Sequence, residues 1–139
     1  MNIVPDAYRD LISDSSKAIG YLSTTLQSGA PVTAPIWFGV QGDHICFVTA
    51  PTSLKLKNMV ARPAVSLLIQ DPDAVYRYMQ IRAQYDKQTT EGSAAYLHML
   101  SNRYIGTDYP TELGGDDVIV YLKPTRVNVF SWDTESSES

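Results

Sequence analysis

Pro31-Val32-Thr33-Ala34-Pro35-Ile36-Trp37-Phe38-Gly39-Val40-Gln41-Gly42-Asp43-His44-Ile45-Cys46-Phe47-Val48-Thr49 is the stretch from which the architecture can be read. Val32, Ala34, Ile36, Phe38 and Val40 alternate with Thr33, Pro35, Trp37 and Gly39, which is the period of a half-buried strand. Pro35 lacks a ladder donor and so predicts an edge or a bulge. Gln41-Gly42-Asp43 then turns the chain into a third strand, His44 to Thr49. On the N-terminal side, Ile19-Gly20-Tyr21-Leu22-Ser23-Thr24-Thr25 suits a pleated surface, and Gln27-Ser28-Gly29-Ala30 is a turn. Three antiparallel strands with short connections predict a meander.

The rest of the chain extends this pattern. Tyr8, Leu11 and Ile12 share a helix face behind Pro5. A short helix is expected from Ser53 to Arg62-Pro63, with Leu56, Met59 and Val60 on one face. Val65, Leu67 and Ile69 alternate in a fourth strand, and a fifth runs from about Val75 to Asp86. Thr89-Thr90-Glu91 is expected to cap a longer helix through Leu97, Leu100 and Tyr104. Val118 to Leu122 reads as the sixth strand, with Pro124-Thr125 as a kink before a last extended piece, Val127 to Trp132. About six short strands with two to three helices, not regularly alternating, predict a mainly β (α+β) antiparallel barrel rather than a parallel sheet. Residues 1–133 are expected to form a single domain, with 134–139 as a disordered C-terminal tail.

Composition narrows the function. The chain has 139 residues, the size of one domain, and a formal net charge of −4, which argues against a nucleic-acid binder. One cysteine excludes an intramolecular disulfide and any multi-thiolate metal site. His44 and His98 stand far apart in sequence, so no metal site is expected. No apolar run approaches the roughly 20 residues of a membrane-spanning helix. The N-terminal residues lack the pattern of a signal peptide, so a cytoplasmic, non-membrane protein is expected. Nine tyrosines are an excess; Tyr76, Tyr78, Tyr104 and Tyr109 are candidates for a pocket or an interface.

The chemically informative segment is Thr49-Ala50-Pro51-Thr52-Ser53-Leu54-Lys55-Leu56-Lys57-Asn58. Ser53 is an N-cap, and the amides after it have no intrahelical acceptor. Lys55 and Lys57 place positive charge at the end of a helix that already carries a partial positive charge, and no acid offsets them. An external anion, most simply a phosphate, would do so. Two solvated lysines are the plainer alternative. Lys55 and Asn58 are three apart and share a face, whereas Lys57 points elsewhere.

These segments, taken in order, resemble a known family. The Pro31 to Phe38 run, Phe47-Val48-Thr49, Ser53 to Met59, Arg62 to Ile69, and Asp71-Pro72-Asp73 followed by Tyr76-Arg77-Tyr78 are similar to the pyridoxamine-phosphate-oxidase-like split barrels. So are Arg103 to Pro110 and Val127 to Asp133. Within them the chain resembles the small flavin/deazaflavin oxidoreductases, many of which use coenzyme F420, an 8-hydroxy-5-deazaflavin. The resemblance implies a split β-barrel homodimer with cofactor at the subunit interface. It implies that Ser53, Lys55 and Asn58 hold the cofactor phosphate and its neighbourhood, with Lys57 nearby. It also implies that Thr33, Ala34, Pro35, Ile36, Trp37 and Thr49 face the ring system. Where many members carry Arg directly before the matching Lys, this chain has Leu54; a core-facing Leu54 would leave the phosphate to amides, Ser53 and Lys55.

The activity implied is hydride transfer between F420 and a small unsaturated or planar substrate. The cofactor carries that chemistry, which accounts for the lack of an acid–base constellation. FMN on the same fold is the alternative cofactor, and a non-catalytic flavin or tetrapyrrole carrier is the alternative class. F420 differs from FMN in its lactyl and polyglutamate groups, for which Lys55, Lys57, Arg62 and Arg77 are candidate partners.

Overall fold

The computed structural model describes residues 1–132; Asp133 and the expected tail at 134–139 lie outside them. In chain order the elements are a 3-10 helix, Asp6–Ile12, then β1 Gly20–Thr25, β2 Pro31–Ile36, β3 Gly39–Gln41, β4 His44–Thr49 and α1 Leu54–Ala61. These are followed by β5 Ala64–Gln70, β6 Arg77–Thr89, α2 Ser93–Ile105 and β7 Val118–Ser131. The protein is a mainly antiparallel split barrel with three helices. Its sheet has seven strands rather than about six, in the order β2-β1-β5-β6-β7-β4-β3.

The extra strand comes from the opening stretch. The expected continuous strand breaks at Trp37 and Phe38, so β2 pairs with β1 while β3 pairs with β4 at the far edge of the sheet. The meander is therefore not formed: two residues carry the chain from one edge of the sheet to the other and bend it into a barrel. Alternation along Val32, Ala34, Ile36 and Phe38 persists through the break, which is why periodicity alone did not reveal it. Pro35 lies in β2, an edge strand, where a missing donor costs no ladder bond on the open side. Gly39 is required by contact: a Cβ there would collide with the Tyr96 hydroxyl from α2.

β6 and β7 form a long ribbon, with Arg77 opposite Ser131 and Thr89 opposite Ile119. The last two predicted strands are one element, because register shifts at Arg82/Ala83 and Tyr85/Lys87 absorb Thr125 and Asp86 as bulges, with Pro124 kept opposite Ala83. Asp86 is thereby turned to His44, at 2.7 Å from Nε2. Thr89 ends β6 rather than capping a helix; α2 begins after Gly92, whose φ of 75° places it in the left-handed region.

The barrel interior is filled by Leu22, Phe38, Ile45, Phe47, Met59, Leu67, Ile69, Met79, Ile81, Val120 and Leu122, all buried. Cys46 is also fully buried, on the other face of β4 from Ile45 and Phe47, and burial pushes its thiol up to about 12, so it is an inert residue. Among the described residues no helix is long and apolar enough to cross a membrane.

Candidate functional site

The break between β2 and β3 also builds the site. Trp37 sits on it, with its ring stacked on Tyr104 (centroids 5.5 Å apart, planes within 6°) and edge-on to Tyr109 at 6.4 Å. α2 pins the crossover by its polar groups. Arg103 donates from Nη1 to the Phe38 carbonyl at 2.9 Å, and the Tyr104 hydroxyl donates to the Ala18 carbonyl at 2.7 Å. The Phe38 amide also donates to the Tyr104 hydroxyl, at 3.4 Å. His98 on α2 accepts the Tyr109 amide on Nδ1 at 3.0 Å, fixing the loop that brings Tyr109 round to Trp37. Burial raises the Tyr104 phenol above its ordinary range, so it remains a neutral donor at physiological pH.

This arrangement walls a groove of about 750 Å³, within the size range of small-molecule sites. Pro35, Ile36 and Trp37 form one side, and Thr49 and Lys55 mark the end nearest α1. Lys55 also lines an adjoining cavity of about 200 Å³ with Thr33, Ala34 and Leu54. The structure thus gathers eight of the ten expected site positions around two cavities joined at Lys55, if Ser53, which heads α1 beside them, is counted. Ser53 caps the helix by accepting the Leu56 amide at 3.3 Å. Among the described residues the Leu54 and Lys55 amides have no backbone acceptor, and Lys55 has no ion-pair partner.

Two positions are placed otherwise. Asn58 is 3% exposed and points into the protein. Its amide donates to Thr24 Oγ1 at 3.1 Å, and its carbonyl oxygen accepts from Arg62 Nη2 at 3.3 Å. Arg62 is further held by the Thr25 carbonyl at 2.7 Å. Lys57 is exposed and lines neither cavity. Leu54 is 56% exposed instead of core-facing, and Val60 is likewise exposed, because α1 buries Leu56, Asn58 and Met59. Arg77 is on the opposite flank, held by Asp10 (2.7 Å) and Asp71 (2.8 Å), so it supplies nothing to the groove.

Sequence reading missed Ile19, Tyr21, Val48, Ala50, Leu97, Leu100 and Asp117 as groove walls. Tyr109 was flagged by the tyrosine excess alone, and Tyr76 and Tyr78 pack with Trp132 and Phe130 at the far end of the β6–β7 ribbon instead. Among the described residues no group of three or more His, Cys, Asp or Glu could hold a metal ion.

A split barrel whose edge carries an aromatic wall, with a basic helix start beside it, is a scaffold for a ligand that joins a planar ring to an anion. The family model for pyridoxamine 5'-phosphate oxidase matches residues 4–130, and the chain belongs to that family of flavin-binding oxidoreductases. An F420 reductase is similar over 90% of this chain and 98% of its own length, at 29% identity and a TM-score of 0.80. A conserved hypothetical protein from Mycobacterium tuberculosis shares the fold over 91% of this chain and 84% of its own, at 22% identity and a TM-score of 0.69. So does a FAD-binding protein from Mesorhizobium loti, over 84% and 87%, at 15% identity and a TM-score of 0.62. No curated protein matches the sequence.

Proposed function

We propose that this protein is an oxidoreductase that transfers a hydride between coenzyme F420 and a small unsaturated or planar organic substrate. The observation that carries this reading is Lys55, a cation with no ion-pair partner among the described residues, which lines both cavities at the start of α1 beside a groove walled by Trp37. The likeness to an F420 reductase at 29% identity, spanning nearly all of both chains, favours F420 as the ring-and-anion ligand.

The residues present fit such a group. The groove is large enough for a tricyclic ring, and its apolar walls, Ile36, Leu97 and Leu100, keep water from one side of it. Trp37 offers a ring face already held by Tyr104, so little is lost in ordering it. The Lys55 ammonium and the amides of Leu54 and Lys55 would hold the phosphate, with Ser53 occupied as the cap. A reduced deazaflavin held by these residues would supply the hydride with its electron pair, and solvent the proton that balances reduction of the substrate. The protein's share is positioning and exclusion of water.

The purified chain is titrated with F420 and with FMN, and binding is followed by the visible absorbance and fluorescence of each ring. F420 is expected to bind the more tightly. Saturable binding of FMN with none of F420 would move the assignment to an FMN enzyme on the same barrel, and binding of neither would remove both.

A further inference from the structure

The loop between α2 and β7 is fastened to α2 by three side-chain hydrogen bonds at its start. Ser101 Oγ donates to the Thr107 carbonyl at 2.7 Å, and Asn102 Nδ2 donates to Asp108 Oδ1 at 2.6 Å. The Tyr109 amide donates to His98 Nδ1 at 3.0 Å. Beyond Tyr109, no hydrogen bond or ion pair among the described residues holds the loop until β7 begins at Val118. Tyr109 and Asp117, at the two ends of this unfastened stretch, both line the groove. The bond to His98 is therefore the last one that fixes the rim on which Tyr109 meets Trp37.

Only one of the three fastenings changes with a proton near neutrality. A hydroxyl and an amide do not titrate there, and a carboxylate stays an acceptor throughout the range in which an imidazole titrates. The Tyr109 N–H points at Nδ1, so that nitrogen carries a lone pair and the ring is the neutral tautomer with its proton on Nε2. In the imidazolium both nitrogens are donors. A second proton sets N–H against N–H and breaks the bond. His98 is half-buried, so the ring stays within reach of solvent.

No charged neighbour takes over this contact. Among the described residues no acid forms an ion pair with His98. On the loop, Asp108 is taken by Asn102, and Glu112, Asp116 and Asp117 lie beyond Tyr109. On α2, Arg103 and Tyr104 are turned to the Phe38 and Ala18 carbonyls, and the Tyr96 hydroxyl lies against Gly39. β4 and β7, which pack on α2, carry His44, Cys46, Tyr121, Lys123 and Arg126, none of them bonded to His98.

We infer that His98 is a positioning residue for ring binding: its neutral imidazole holds Tyr109 against Trp37 as one wall of the groove, and protonation releases that wall and weakens binding of the ring. The role in binding rests on the ring-and-anion site proposed above, whereas the hold on Tyr109 does not require it.

The test uses the whole chain as wild type, His98→Asn and His98→Phe. Asparagine places its carbonyl oxygen where histidine has Nδ1, so it keeps the acceptor and removes the titration. Phenylalanine keeps a ring and removes the acceptor. Protection of the Tyr109 amide from exchange is measured without ligand at about pH 8 and about pH 5, on either side of the ordinary imidazole range. F420 and FMN are titrated by fluorescence at the same two pH values. Each affinity is read as a ratio to His98→Asn at the same pH, so that any titration of the ligand cancels. Wild type is expected to match His98→Asn at the higher pH and to bind about three- to ten-fold more weakly at the lower, the worth of one hydrogen bond. Its Tyr109 protection should fall alongside, while that of His98→Asn persists and that of His98→Phe is low at both. Wild-type protection that stays level with His98→Asn on acidification overturns the inference, as does His98→Phe with wild-type protection at the higher pH. Protection that falls while the affinity ratio does not change overturns the role in binding. Should His98→Phe fail to fold, the comparison of wild type with His98→Asn decides alone. A chain that binds neither ring removes the cofactor reading and the role in binding with it, and the exchange measurement still accepts or rejects the hold of His98 on Tyr109.

Discussion

Lys55 and Asn58 are three residues apart on one short helix, yet they do different work. Lys55 lines both cavities with no ion-pair partner among the described residues, whereas Asn58 ties α1 to Thr24 of β1 and to Arg62. If Lys55 meets a phosphate, its charge-assisted bond is worth about 1.5–3 kcal/mol. Lys55→Ala should then weaken cofactor binding by roughly ten- to a hundred-fold in calorimetric titration, with little effect on folding. Lys57→Ala, exposed outside both cavities, is the control and should change affinity much less. Asn58→Ala should show the opposite profile: a loss of about 1–3 kcal/mol in denaturant unfolding, with near-normal affinity in the protein that remains folded. Three-residue spacing put Asn58 and Lys55 on one helix face, but spacing does not say where that face divides between core and solvent. α1 is rotated so that a polar residue is buried with Leu56 and Met59, and only its partners on β1 and at the helix end make that tolerable.

Among the elements, most strands were legible because alternation survives wherever one face of the sheet is buried, as it does along Met79, Ile81 and Ala83 of β6. The breaks were not legible, because they depend on contacts distant in sequence. The Trp37-Phe38 crossover is held by Arg103 and Tyr104, more than sixty positions away. Tyr104→Phe keeps the stacking ring and removes the hydroxyl, leaving the carbonyl of the buried Ala18 without that donor. It should cost about 1–3 kcal/mol of stability and increase the mobility of Trp37, read as lower fluorescence anisotropy. The 3-10 helix gives a pH prediction. Arg77 bonds Asp10, donates to the Ala7 carbonyl at 2.6 Å and lies 4.8 Å over the Tyr8 ring. The bond from Arg77 holds the Asp10 carboxyl below its ordinary 3.8. A carboxyl with a folded-state value below its unfolded one stabilises above the unfolded value, and that contribution fades as pH falls through the folded one. Amide exchange in Asp6–Ile12 should therefore accelerate below about pH 4, and Asp10→Asn should remove most of that pH dependence.

At the scale of the molecule, one end of the β6–β7 ribbon presents Tyr76 at 64% and Trp132 at 70% exposure, with their rings 6.0 Å apart. Tyr21, beside the groove, is exposed as well. Exposed aromatic surface of this kind commonly marks an interface. The protein is expected to be a homodimer with its cofactor sites at the contact, so light scattering at micromolar concentration should return twice the chain mass. A monomer that retains cofactor would refute that. The fold class was legible because many weak sequence matches occur in the right order. The groove walls from Leu97, Leu100 and Asp117 were not, since helix and loop residues meet there only after the sheet has curled.

That curling leaves a seam. β2 and β3 are the two edges of the sheet, each paired on one side only, and Trp37-Phe38 is the clasp between them. A ligand resting on Trp37 grips the clasp from outside and should oppose opening of the barrel at its least bonded line. At a hundred times its dissociation constant it would add about 2.7 kcal/mol to the closed form. The protection should appear first in the amides of β2 and β3, far apart in the ladder and two residues apart in the chain. Without ligand, the same two edges are where one molecule's strand would meet another's, so loss of cofactor and onset of aggregation should go together on storage.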